Sequence, residues 1–180
     1  MTTTLWLTGL PSSGKSTLGR ALAERYRPHR AVEHLDGDQL RRDLFPELGY
    51  GKADRMENIR RIGRLATMLA AHDVLVIASV IAPYSESRAE VRSEHEARGL
   101  NFVEVHVHAP VEVCASRDVK GLYASARRGE ITGLTGYGDN YEVPDSPDVR
   151  VDTSTMSVDG CLSAIDDALN RAERFGREVA

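Results

Sequence analysis

Apolar residues along the chain follow two alternating rhythms. Short runs such as Thr4-Leu5-Trp6-Leu7-Thr8, Ala31 to Leu35, Val74 to Ala78 and Phe102 to Val107 are β-prone, the first stopping at Gly9 and the second at Asp36-Gly37-Asp38. Val74 to Ala78 is apolar at every position, as a central parallel strand covered on both faces requires. Between these runs the apolar positions step by three or four. Leu18, Ala21 and Leu22 do so before Pro28, and Ile59, Ile62, Ala66 and Leu69 predict a long helix over Ala53 to His72. A charged helix is expected from Glu86 to Arg98, a short one from Pro110 toward Arg117, and a last strand at Val149-Arg150-Val151. The closing amphipathic helix is marked by Val158, Leu162, Ile165, Leu169 and Ala172. Strand–helix alternation predicts an α/β fold, a parallel sheet sandwiched between helices. Asp118 to Pro147 has neither rhythm and is too long for an ordinary connection, which points to a functional lid.

Composition narrows the class. With 180 residues and 41% hydrophobic content, one domain spanning 1–180 with a sizeable core is expected. A net charge of −4 argues against a dedicated nucleic-acid partner. No apolar run approaches the ~20 residues of a membrane span, and Met1-Thr2-Thr3-Thr4 has no basic region of a signal peptide, so a cytoplasmic protein is expected. Cys114 and Cys161 are too few for a disulfide framework and read as small buried residues.

The chemistry begins at Gly9-Leu10-Pro11-Ser12-Ser13-Gly14-Lys15-Ser16, followed by Thr17, which fits G-x-x-x-x-G-K-[ST] at each fixed position. Glycines let the backbone curl so that amides point at phosphate oxygens, and the following helix adds its positive end. Lys15 is expected on the β- and γ-phosphates of ATP and Ser16 on Mg²⁺. A strand before the motif and a helix after it supply the context it needs. The guanine-reading element of a GTPase has no convincing match. The acid that an ATPase places after its central apolar strand is also missing, since Val74 to Ala78 runs into Ser79. Acids instead follow the second strand, at Asp36 and Asp38, where a second substrate would meet the phosphates. This favours a kinase.

Six segments in order resemble the adenylylsulfate kinase family over nearly the whole chain: Trp6 to Thr17, Leu35-Asp36-Gly37-Asp38, Glu57 to Gly63, Ile81-Ala82-Pro83-Tyr84, Arg117 to Tyr123, and Tyr141-Glu142-Val143-Pro144. The resemblance implies a three-layer P-loop fold with a five-stranded parallel sheet of order 2-3-1-4-5 and a lid at about 118–147. It also implies transfer of the ATP γ-phosphoryl group to the 3′-hydroxyl of adenylyl sulfate. Asp38 would face that hydroxyl, Arg41, Arg55 and Asn58 would hold the acceptor beside Tyr50, Ile81, Ala82 and Leu134, Lys120 would bind the phosphates, and Arg117 would lie near the ATP base. A homodimer is expected.

Bottom-up, Arg55 and Asn58 are three apart and share a helix face, whether toward a ligand or toward solvent. Asp38 suits a helix N-cap as well as a catalytic base, and Lys120 and Arg117 read equally as surface charges. Arg60, Arg61 and Arg64 read as a solvated or interface face, and His106 and His108, on one strand face, lack a partner set for metal. Ala82 stands where many members carry serine, so direct in-line transfer is expected. Leu134 replaces an aromatic and Asn140 a proline, while Tyr50 keeps an aromatic face where Phe is common. Two alternatives remain: a related kinase acting on another nucleotide-linked or secondary-metabolite hydroxyl, and a nucleotide-binding subunit of a sulfate-activating complex.

Overall fold

A computed structural model describes residues 2–178; Met1, which opens the N-terminal segment considered above, lies outside them. The elements run β1 (Thr3–Thr8), α1 (Lys15–Tyr26), β2 (Val32–Asp36), α2 (Gly37–Asp43), α3 (Lys52–Ala70), β3 (Leu75–Ser79) and α4 (Ser85–Glu96). They continue with β4 (Asn101–His108), α5 (Val111–Arg117), α6 (Leu122–Arg127), β5 (Leu134–Thr135), β6 (Gly138–Asp139), β7 (Val149–Asp152) and α7 (Val158–Glu178). Five strands form one parallel sheet of order β2-β3-β1-β4-β7. This is the predicted order 2-3-1-4-5, with β5 and β6 set apart as a ribbon of their own.

Strand β1 is central, paired to β3 through Leu5↔Ile77 and to β4 through Leu5↔Val103. Its inward alternation feeds two cores. Leu5 and Leu7 pack with Leu18 and Leu22 of α1 and with Leu162, Ile165 and Leu169 of α7. Trp6 faces the other way, into Ile59, Ile62 and Ala66 of α3, Val91 of α4, and Phe102. The stripe read from α3 is the buried one, except that Leu69 sits at its margin. A third, smaller cluster joins Ala109 and Cys114 to Tyr123 and Leu134 of the lid. Both cysteines are buried and free.

The segment read as patternless is ordered more than the sequence suggested. Asp118 caps α6 by accepting from the amides of Tyr123 and Ala124, at 3.0 and 2.9 Å. The Tyr123 hydroxyl then donates to the Pro11 carbonyl at 3.1 Å, which fastens this short helix to the P-loop.

Candidate active site

The loop from Gly9 to Gly14 leaves the carboxyl end of β1 and enters α1 directly at Lys15. A Cβ at Gly9 would strike the Val107 carbonyl oxygen, and Gly14 has φ of 103°, so the bend needs glycine at both ends. Ser12 also takes a left-handed φ of 62°. Lys15 is buried and folds back over the loop, its Nζ donating to the carbonyls of Gly9 at 2.9 Å and Leu10 at 2.6 Å. Burial lowers its pKa to about 8, while the charge of Asp38 chiefly opposes that shift. Lys120 and Asp36 also act on Lys15, so four charged groups share one neighbourhood.

The acids divide their roles. The Asp36 side chain caps α2, accepting from the amides of Asp38 at 3.0 Å and Gln39 at 3.2 Å. Asp38 is therefore not the N-cap; it lies in the first turn with its carboxylate free to pair with Lys120 of the lid. Asp36 Oδ2 also accepts from the Ser16 hydroxyl at 2.6 Å. Burial alone would raise the Asp36 pKa, but the bonds from Ser16 and the two amides hold it below the usual carboxylate range. Mg²⁺ prefers hard oxygens and is commonly held by one or two protein ligands plus phosphates and water. The touching Ser16 and Asp36 oxygens at the mouth of the P-loop fit it. Among the described residues no group of three or more His, Cys, Asp or Glu is placed to hold a metal.

Arg41 and Arg55 approach the same loop from two helices. Arg41 donates to the carbonyls of Leu48 at 3.1 Å and Gly49 at 2.5 Å and lies 4.9 Å from the centre of the exposed Tyr50 ring. Arg55 donates to the Tyr50 carbonyl at 2.7 Å and reaches the lid, bonding the Gly133 carbonyl at 2.5 Å and the Thr135 hydroxyl, with Asp139 3.4 Å away. Asn58, one turn on, is buried with no partner for its Oδ1, unlike the solvated face considered from sequence. Ala82 is fully buried at a left-handed φ of 45°, beside half-buried Ile81. Leu134 packs in the cluster that joins the lid to Ala109 and Cys114.

Arg117 does not float as a surface charge. It donates to the hydroxyl and carbonyl of Thr153, at 2.9 and 2.7 Å, and the Thr153 hydroxyl reaches the P-loop carbonyl of Ser13 at 2.8 Å. Thr153 and Asp36 were not singled out as site residues from sequence. Asp36 carried a signal, as the acid that ends β2, whereas Thr153 carried none. The lid returns through Tyr141, whose hydroxyl lies 3.1 Å from that of Thr8. An open cleft of about 660 Å³ is lined by Leu10 of the P-loop and by Gly136, Gly138 to Tyr141 and Val143 of the lid. Arg60 and Arg61 both pair with Glu57, and Arg61 also with Glu47. His106 is buried, its Nδ1 without a partner, and burial lowers its pKa to about 4.

A P-loop on the middle strand of a 2-3-1-4-5 parallel sheet, acids at the carboxyl end of β2 and a lid that brings Lys120 to them define a P-loop kinase. The family model described as adenylylsulphate kinase matches residues 1–152. The chain belongs to the adenylylsulfate kinase family. It is 49% identical over 167 residues to the adenylyl-sulfate kinase of Myxococcus xanthus, covering 93% of this chain and 90% of that one. Its fold is similar to that of the Mycobacterium tuberculosis APS kinase CysC in complex with AMPPNP and APS. There the TM-score is 0.89 at 40% identity, over 94% of this chain and 98% of that one. A hexameric APS kinase from Thiobacillus denitrificans is 36% identical with a TM-score of 0.71, over 95% of this chain and 29% of that one.

Proposed function

We propose that this chain, as one kinase domain, transfers the γ-phosphoryl group of MgATP to the 3′-hydroxyl of adenylyl sulfate. The observation that carries the reading is the meeting of Lys15, the Ser16–Asp36 pair and the Asp38–Lys120 pair at the mouth of the P-loop. Asp38 accepts the hydroxyl proton as the acceptor oxygen bonds to phosphorus and the bond to the leaving ADP oxygen breaks. Lys15 and Lys120 supply positive charge to the migrating group. Mg²⁺, held through Ser16 and Asp36, would neutralise charge on the β- and γ-oxygens. Arg41, Tyr50, Arg55 and Asn58 border the acceptor side with Ile81 and Ala82, Leu134 backs the lid, and the Arg117–Thr153 wall takes the adenine of ATP. Buried Ala82 has no hydroxyl to carry a phosphoryl group, so transfer is direct.

A coupled ADP-release assay across adenylyl sulfate, AMP, CMP and CDP derivatives tests the acceptor. Fast turnover with adenylyl sulfate alone is expected, abolished in Lys15→Ala with the fold intact. Faster turnover of a cytidine acceptor would overturn the reading. Among the described residues no helix is long and apolar enough to cross a membrane, and a cytoplasmic location belongs to this proposal. So does a homodimer; likeness to a relative described as hexameric supports self-association without bearing on the number of copies, and light scattering should give twice the chain mass.

A further inference from the structure

Behind the Ile81–Ala82 loop, the first turn of α4 carries Arg88, which is 4% exposed. Its Nη1 donates to the Ala82 carbonyl at 2.8 Å and its Nη2 to the Glu142 carbonyl at 2.8 Å. Its Nε lies 2.8 Å from Glu104 Oε1 on the neighbouring strand β4. One planar fork thus spans the loop on the acceptor side, the returning end of the lid and the sheet.

The surroundings show what the fork holds. Ala82 adopts a left-handed backbone that disfavours any residue with a Cβ, and such strain persists only where neighbours over-determine it. Arg88 fixes the Ala82 carbonyl, while the Thr8 hydroxyl donates to the preceding carbonyl of Ile81 at 2.6 Å. The lid return is tied to the same place. The Glu142 amide donates to the Pro83 carbonyl at 2.8 Å, and its carboxylate accepts from the amide and hydroxyl of Ser85, each at 2.7 Å. A buried arginine–glutamate pair is a poor source of net stability, since desolvation offsets its attraction. A hydrophobic pair of the same volume would fill the space, but it could not grip two carbonyls from separate segments.

We propose that Arg88 is a positioning residue, which sets the strained Ile81–Ala82 backbone and the lid root at Glu142 as one unit and so governs acceptor binding without touching the acceptor. The consequence for the acceptor rests on the functional reading above; the mechanical tie does not.

The test uses two variants of the whole chain. Arg88→Lys keeps the charge against Glu104 but cannot span both carbonyls. Arg88→Met combined with Glu104→Met removes the pair together, leaving no charge unpaired. Amide hydrogen exchange without substrate should quicken at least tenfold in both residues 80–84 and 141–143, while Leu75–Ser79 of β3 stays protected. In steady-state kinetics the KM for adenylyl sulfate should rise at least tenfold and the KM for ATP stay within twofold. Unchanged exchange in either segment, or an equal rise across the sheet, overturns the tie. Faster exchange with an unchanged acceptor KM, or equal rises in both KM values, overturns the positioning role. Should the wild type fail to turn over adenylyl sulfate, the acceptor assignment falls while the exchange experiment still decides the tie.

Discussion

Asp36 and Asp38 sit two positions apart and differ in what their oxygens touch. Asp36 is spent on the α2 amides and on Ser16, whereas Asp38 meets only the mobile-ended side chain of Lys120. Asp38→Asn should therefore lower kcat by roughly the 10²–10⁴-fold typical of a positioned acid–base group, with an unchanged melting temperature. Steady-state kinetics beside a thermal melt checks both halves. Asp36→Ala should cost about 1 kcal/mol of stability through the lost cap and raise the Mg²⁺ concentration needed for half-maximal rate. A magnesium titration of the variant reads this. Either aspartate suits a cap by residue type, so sequence left the choice open. The backbone decided it, because residue 36 is extended at φ −85° and ψ 118° and opens the helix. Arg55→Ala should weaken adenylyl sulfate by about 1.5–3 kcal/mol, the scale of a hydrogen bond to a charged group. Initial rates should show this in the acceptor KM while sparing that for ATP.

At the scale of elements, long periodic segments were the legible ones. The α3 prediction over Ala53 to His72 corresponds to Lys52–Ala70, and the closing helix was marked by five apolar positions, four of which pack on the larger core or its margin. The lid was legible only as a gap in the pattern. Helix α6 has six residues, too few for a period to show, and it is held by Asp118 and by the distant Pro11 carbonyl. Strands β5 and β6 have two residues each. Tertiary contacts of that kind leave no local signature. Arg88 was hidden for another reason: on a helix that reads as charged throughout, nothing in the sequence distinguishes the one buried arginine. The lid meets the body through Lys120, Arg55 and Tyr141. Its segment from Asp118 to Tyr141 should resist limited proteolysis when ADP and adenylyl sulfate are present, because closure over a phosphoryl donor excludes water. Equal cleavage with and without these ligands would show that it is not a lid.

Across the whole molecule, three histidines are buried enough that burial lowers their pKa: His34, His95 and His106, the last to about 4. The unfolded chain takes up protons near the ordinary pKa of ~6.5, before the folded one does. Stability is thus fully present above that pH and falls as pH drops toward 4, by at most about 1.4 kcal/mol per pH unit for each such group. Carboxylates held below their usual range, such as Asp36 and Glu142, add their loss only at lower pH. Urea melts between pH 7 and 4 should show the slope, and His106→Gln should flatten it. His106 was noticed from sequence only for its spacing from His108; that it lies 3% exposed depends on distant parts of the chain such as Tyr141, whose ring centre lies 6.2 Å from its own.

The central place of β1 also bears on how the protein is made. This strand precedes the other described strands in the chain, yet its ladder partners are Thr4↔Val76 on one side and Leu5↔Val103 on the other. Each pairing closes a loop of many tens of residues, an entropic cost met before any hydrogen bond returns it. The phosphate cradle that follows β1 therefore cannot be fixed in place until β4 has left the ribosome. A nascent chain halted before residue 101 should be unable to retain ATP, and its unpaired apolar Leu5-Trp6-Leu7 should be open to chaperones.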